Sequence, residues 1–255
     1  MRKPSLLIIA ASLIILSCAG YKNDGKKITY SVSRSNHIAF GIASIEVKNA
    51  DPKTFEELDD SRYGKDSNNV FFEGVAVAGA DSKTFEIIGE SHARDKNQGY
   101  YEGKPVAKTE GKTFREIDRF FSADSKDVYY CGIPLGAEAP DKFRYVFAKG
   151  EENTSGGEDD RWTTDGHYYF KKEVKVPSDD YDDVVVYKNE FIAKDKKWVY
   201  AYGNRLGANE NDRKKYGLID AATFEIAGYL EYSDGYEMTY KDKYGKFTLS
   251  KGRVK

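Results

Sequence analysis

Short apolar and aromatic runs alternate with polar turns in a fixed rhythm along most of this chain. Asp66, Asp95 and Asp124 lie 29 residues apart. After each comes a polar turn, then an aromatic pair (Phe71-Phe72, Tyr100-Tyr101, Tyr129-Tyr130), then a glycine at the eighth position (Gly74, Gly103, Gly132). Nineteen residues after each aspartate stands a phenylalanine (Phe85, Phe114, Phe143), with an aliphatic residue three further on (Ile88, Ile117, Val146). A fixed period of this length marks a repeat architecture.

Each period has a legible local chemistry. Asp66-Ser67-Asn68-Asn69 and Asp95-Lys96-Asn97-Gln98 are turn sequences, because Asp and Asn side chains accept bonds from the backbone two residues on. The β-branched and aromatic residues that follow predict a strand, and the glycine predicts a second turn closing it. Ala50-Asp51-Pro52-Lys53-Thr54-Phe55 then reads as a helical turn, with Asp as N-cap and Pro at the first helical position. Phe55 and Leu58, like Phe85 and Ile88, would share one face of that turn. At the fifth position after the aspartate the chain carries Phe71, Tyr100, Tyr129, Phe170 and Tyr200. That column is expected to point inward and to stack between units, each ring burying ~150–250 Å². The expected fold is a β-dominated repeat array of stacked β-hairpin units with short helical turns. An open, solenoid-like or meandering form is favoured over a closed propeller, because ~29 residues are few for a four-stranded blade of ~40–45.

The turn aspartates place units near residues 66, 95, 124, 165, 195 and 234. A degenerate unit precedes them near 36, with Asn36 in the aspartate position and Phe55 nineteen residues on. The Asp165 unit departs most, with a turn that reads as shortened and no T-F-E segment. Two insertions break the period, around Gly150–Asp160 and around Glu210–Ile219. Insertions in repeat arrays map to loops on one face, often the binding face.

The N-terminus reads as a targeting segment. Arg2 and Lys3 precede an apolar run over residues 6–16, too short to cross a ~30 Å hydrocarbon core as a helix and the right length for a signal-peptide core. The run ends in Ile15-Leu16-Ser17-Cys18, which resembles a bacterial lipobox, although Leu16 stands where a small residue is usual. The resemblance implies a signal peptide over 1–17 and lipidation and N-acylation of Cys18. From the placing of the repeats, a tether over 18–34 and a continuous repeat region over 35–255 are expected to follow. Membrane attachment, at an outer-membrane or cell-surface leaflet, would then run through the lipid. The cysteine content leaves only Cys131 besides Cys18, so no intrachain disulfide is expected. Loss of Arg2 and Lys3 would leave 38 basic against 42 acidic residues and move the net charge from −2 to −4. A balanced, strongly charged surface argues against nucleic acid, which requires a basic face.

Arg94-Asp95-Lys96-Asn97-Gln98-Gly99-Tyr100-Tyr101 and Ala193-Lys194-Asp195-Lys196-Lys197-Trp198-Val199-Tyr200 resemble the bacterial DKNYY repeat family. So do the A-D-x-x-T-F-E segments at 50–56 and 80–86. The resemblance covers about residues 36–245. It implies an often exported bacterial repeat protein with no established biochemical activity, and it brings no catalytic residues.

The search for chemistry yields little. His37, His92 and His167 occupy different positions in their repeats, and no H-x-x-x-H or paired-cysteine pattern suggests a metal. No nucleophile elbow, P-loop or dinucleotide fingerprint is present. No cofactor is expected. Glu158-Asp159-Asp160 and Asp179-Asp180-Tyr181-Asp182-Asp183 could offer calcium oxygens but lack the spacing of a calcium loop, and a solvated surface explains them as well. Trp162, Trp198 and the many tyrosines could stack on a protein or glycan partner, although core packing is the expectation for any one ring. The functional expectation is therefore a lipid-anchored envelope repeat protein with a non-catalytic binding or structural role. The alternative is an envelope-associated hydrolase acting on a glycan or peptide polymer.

Overall fold

The computed structural model describes residues 20–36, 39–148, 161–187, 191–232 and 235–254. They form seven small antiparallel sheets, one of three strands and six of four, and none closes on itself. In every sheet the strands follow one another in chain order as a meander. In the first, β1 (Gly20–Asn23), β2 (Ile28–Asn36) and β3 (Ala39–Glu46) pair in sequence, and the second holds β4 (Glu56–Glu57), β5 (Tyr63–Lys65), β6 (Val70–Phe72) and β7 (Val75–Ala76). The expected hairpin is thus the centre of a larger sheet. A period of 29 residues holds four strands because the two outer ones are only two residues long.

The T-F-E segment belongs to the sheet of the aspartate that follows it. Residues 52–54 make a single turn, with the Thr54 amide on the Asp51 carbonyl at 3.2 Å and the Thr54 hydroxyl on the Asp51 carboxylate at 2.9 Å. The chain then extends at once into Glu56–Glu57. Phe55 and Leu58 therefore do not share a helical face: a strand separates them, and each β-strand residue turns to the opposite side from its neighbour. The turn between β6 and β7 is of type I′, with φ of 49° at Glu73 and 81° at Gly74. The same pair recurs at Glu102-Gly103, Cys131-Gly132 and Tyr202-Gly203, which explains the glycine at the eighth position.

The register at both ends of the chain differs from the sequence expectation. Asn36 ends β2 and pairs with Ala39, so it is not a turn residue. The first sheet's turn aspartate is Asp24, whose Oδ1 accepts the amides of Lys26 and Lys27 at 2.9 Å each. The stretch 18–34 is accordingly no tether, because folded strand begins at Gly20. Asp234 lies outside the described residues, and the last turn aspartate is Asp242, with Tyr244 N–H on Oδ1 at 2.9 Å. The phase is displaced there by a long hairpin, Glu225–Tyr232 against Gly235–Asp242. It is displaced further by α1 (Glu210–Tyr216), the one α-helix among the described residues. The Asp165 turn is a full four-residue turn with the same bonding as its neighbours. The insertion at 150–160 lies outside the described residues.

The described residues fall into two compact units, up to Phe85 and from Glu86 onward, rather than one continuous region. The boundary falls inside the second A-D-x-x-T-F-E segment. No helix among the described residues is long and apolar enough to cross a membrane.

Candidate functional site

The repeated aspartates are the most elaborate polar feature, and their geometry shows what they do. Of the six foreseen from the sequence, the five among the described residues (Asp66, Asp95, Asp124, Asp165 and Asp195) are buried. In each, Oδ1 accepts the backbone amides two and three residues on, at 2.6–3.0 Å. Oδ2 reaches elsewhere. In Asp66, Asp124, Asp165 and Asp242 it takes the amide of Asp51, Glu110, Glu138 and Asp220 respectively, at 2.7–2.9 Å, which binds the segment entering the sheet to the central turn. In Asp195 the Ser178 hydroxyl replaces that amide at 2.7 Å. Burial alone would raise the Asp66, Asp165 and Asp195 carboxyls, but these donors outweigh it and hold all three below the usual carboxylate range. Each carboxylate is a latch, tying its own turn to a second segment or to the column ring through the other oxygen.

The aromatic columns complete the lattice. Phe71, Tyr100, Tyr129, Phe170 and Tyr200 are buried, and Phe247 continues the column five residues after Asp242. Where the ring is tyrosine its hydroxyl donates to its own turn aspartate: Tyr100 to Asp95 at 2.7 Å, Tyr129 to Asp124 at 3.1 Å, Tyr200 to Asp195 at 2.5 Å. Burial and the adjoining carboxylate push the Tyr200 phenol up to about 12 and raise that of Tyr129 as well.

Two further columns escaped the sequence reading. Three residues before the aspartates stand Tyr21, Tyr63, His92, Phe121 and Trp162. The first four meet the ring of the paired strand, Tyr30, Phe72, Tyr101 and Tyr130, with centroids 4.7–5.2 Å apart. Two before the aspartates stand the small residues Gly64, Ala93, Ser122, Thr163 and Ala193, each paired directly with the column ring. The spacing of 29 is present in Tyr63, His92 and Phe121. Their shared property, a ring, was hidden by the change of residue type.

The T-F-E phenylalanines bridge successive sheets. Phe55 lies 5.1 Å from Tyr21 and 6.0 Å from Phe71. Phe114 lies 6.1 Å from His92 and 5.9 Å from Tyr129, and Phe143 lies 5.1 Å from Phe121 and 6.5 Å from Phe170. Phe85 packs on Tyr63 at 5.5 Å. Each ring buried at ~25 cal/mol per Å² supplies several kcal/mol of gross stabilisation.

The remaining candidates resolve into packing or solvated charge. Among Asp179–Asp183, the carboxylates of Asp180 and Asp183 are held by Lys196 and that of Asp179 by Arg205, so cationic side chains occupy the acidic cluster. Glu158-Asp159-Asp160 lies outside the described residues, as do His37 and Cys18. His167 is on the surface beside Glu138, and His92 is buried in the core, so the two are not brought together. Among the described residues no three His, Cys, Asp or Glu side chains gather as a metal site. Cys131 is half-buried at the left-handed position of its turn. Trp162 is fully buried, and Trp198 lies under the Arg205 guanidinium at 4.9 Å.

Two open surface grooves flank the turns of the Asp95 and Asp124 sheets. One of about 510 Å³ is lined by Lys108, Lys126, Asp127, Pro134 and Leu135, and one of about 310 Å³ by Lys96, Asn97, Glu110 and Lys112. Some of their polar groups are engaged within the fold: Lys126 pairs with Glu110 at 2.8 Å, and Asp127 accepts the Val128 and Ala137 amides.

What stands apart from the lattice is the long hairpin of the last sheet. Tyr229 and Tyr236 are 70% and 73% exposed, and Glu231 pairs directly with Tyr236. Tyr229 and Glu231 alternate to the same face, and Tyr236 shares it. Leu218, 69% exposed, follows α1 nearby in sequence.

No match was found among curated proteins or among solved structures. The DKNYY family model matches residues 11–104 and again 92–251, reaching into every described sheet and leaving out only the final strand, Gly252–Val254. With the repeated aspartate turn and aromatic column running through both matches, the chain belongs to the DKNYY family.

Proposed function

We propose that this chain is a lipid-anchored, non-catalytic repeat protein of the cell envelope, and that it binds a protein or glycan partner through the elements that break its repeat. The carrying observation is the division of labour among side chains. The aspartates and column rings that recur are buried and packed together, whereas the most exposed aromatic side chains among the described residues, Tyr229 and Tyr236, lie on the Glu225–Asp242 hairpin. Exposed tyrosines serve contact well, presenting a large rigid ring with few torsions to immobilise. The anchor rests on the apolar run ending at Cys18. With β1 starting at Gly20, a lipid on Cys18 would leave roughly 7 Å of extended chain, holding the first sheet close to the bilayer surface.

The test is a Tyr229→Ser/Tyr236→Ser double variant, compared with wild type for melting temperature and for recovery of partners from envelope extracts. Unchanged melting with lost recovery supports the reading. Unchanged recovery, with the variant folded, rejects the hairpin as the contact.

A further inference from the structure

His92 occupies a position that its neighbours in the column give to aromatic rings without a titratable imidazole. It is 1% exposed, with its ring 5.2 Å from Tyr101 and 6.1 Å from Phe114. Nδ1 lies 2.7 Å from Oε2 of Glu116, while Nε2 is buried with no hydrogen-bond partner. Glu116 is itself fixed by the amides of Glu90 and Ser91, at 3.1 and 3.3 Å. The arrangement leaves no room at Gly89, where a Cβ would come within 2.0 Å of the Glu116 carboxylate. A carboxylate at Nδ1 places the ring proton there and leaves Nε2 as a bare lone pair. That is a stable arrangement among aromatic rings only while the imidazole is neutral, since a second N–H at Nε2 would be buried without an acceptor.

We propose that His92 makes the sheet around Asp95 an acid-sensitive element, in which proton uptake at Nε2 is coupled to local opening of the strand His92–Arg94. The charged groups facing the ring are Glu116 at Nδ1, Glu102 beyond the paired strand, and Asp118 beyond the Glu116 strand. Arg94, on the same strand, is taken up by Glu86 and by the Phe114 carbonyl. The three carboxylates favour the imidazolium, but burial is the larger effect and pulls the imidazole below its ordinary value. For a histidine whose folded value is depressed, the open state binds more protons. Stability is therefore complete above the unfolded value near ~6.5 and is lost as pH falls below it.

The experiment is urea unfolding and amide hydrogen exchange of the whole chain at pH 7.5, 6.5 and 5.5, for wild type and His92→Phe. Phenylalanine fits the column, as Phe121 does in the next sheet. The expected result is that the opening constant for amides 91–101 rises in wild type by up to about tenfold per pH unit below ~6.5. It should not rise in His92→Phe, and the difference between the two chains removes His37 and His167 from the comparison. If His92→Phe does not fold, Glu116→Gln keeps an acceptor at Nδ1 while deleting the charge. Acid opening should then become more pronounced. An identical pH dependence in wild type and variant, or an imidazole resonance showing that His92 protonates in the folded chain at or above pH 6.5, overturns the proposal.

Discussion

Replacing Asp195 by alanine tests the latch at a carboxylate where two turn amides and two buried hydroxyls converge. The carboxylate is buried and takes four donors: the Lys197 and Trp198 amides on Oδ1, and the Ser178 and Tyr200 hydroxyls on Oδ2. Alanine releases the two turn amides, which water can reach in part. It also leaves two buried hydroxyls without their acceptor, at about 1–3 kcal/mol each. A loss of about 3–5 kcal/mol follows, the size seen when a buried polar network is broken. Against a typical total of about 5–15 kcal/mol this is severe. An asparagine in the same place, by contrast, keeps an oxygen for the turn amides and sets an amide donor against two hydroxyl oxygens, so Asp195→Asn should cost only about 1–2 kcal/mol. Urea unfolding followed by tryptophan fluorescence, with Trp198 inside the turn, measures both. The folded Asp195 value is depressed, so the wild-type contribution is present above the unfolded value of ~3.9 and disappears as pH falls through the folded one. Asp195→Asn should lose that part of the acid dependence. An alanine variant within about 0.5 kcal/mol of wild type, the range of an ordinary surface substitution, or an asparagine variant as unstable as alanine, would refute the latch.

Gly99→Ala should destabilise by about 1–3 kcal/mol, seen as a lower urea midpoint, because its Cβ would lie 2.4 Å from the Phe114 ring. Arg253→Met keeps an apolar stem near Phe247. It removes a guanidinium bonded to both oxygens of Asp242 at 2.8 and 2.9 Å and to the Tyr216 carbonyl at 2.7 Å. With Asp242 left buried and unpaired the expected loss is about 3–5 kcal/mol, read as a lower melting temperature that Arg253→Lys does not restore. Cys18→Ser should move the protein from the membrane pellet to the soluble fraction, and a variant that stays in the pellet contradicts the anchor.

The central repeats were legible because Asp66, Asp95 and Asp124 keep strict phase, and because turn chemistry and ring burial are local properties. The ends were not. Asp24 and Asp242 hold the same turn, but the β2–β3 hairpin and the Glu225–Asp242 hairpin lengthen the chain between latches, and a period count cannot see a hairpin that grows outward. The four-stranded meander was hidden for the opposite reason: strands such as Glu56–Glu57 are too short and too polar to read as strands. Glu116 could not be tied to His92 from sequence, since the contact depends on the turn at Gly89 meeting the neighbouring sheet. The candidate contact surface was the least legible of all. Tyr229 and Tyr236 look like every other tyrosine in the chain until pairing shows which face they share.

Native-state hydrogen exchange at the turn amides is the most direct test of the central claim, that each four-stranded sheet is held by a buried aspartate latch. Amides in short surface turns ordinarily exchange fast. Here those of Asn68, Asn69, Asn97, Gln98, Lys126, Asp127, His167, Tyr168, Lys197 and Trp198 all donate to a buried carboxylate. They should exchange as slowly as the strands that flank them, and all five pairs should be protected together. Exchange at the rate of an unstructured turn in any sheet whose strands remain protected would contradict the claim.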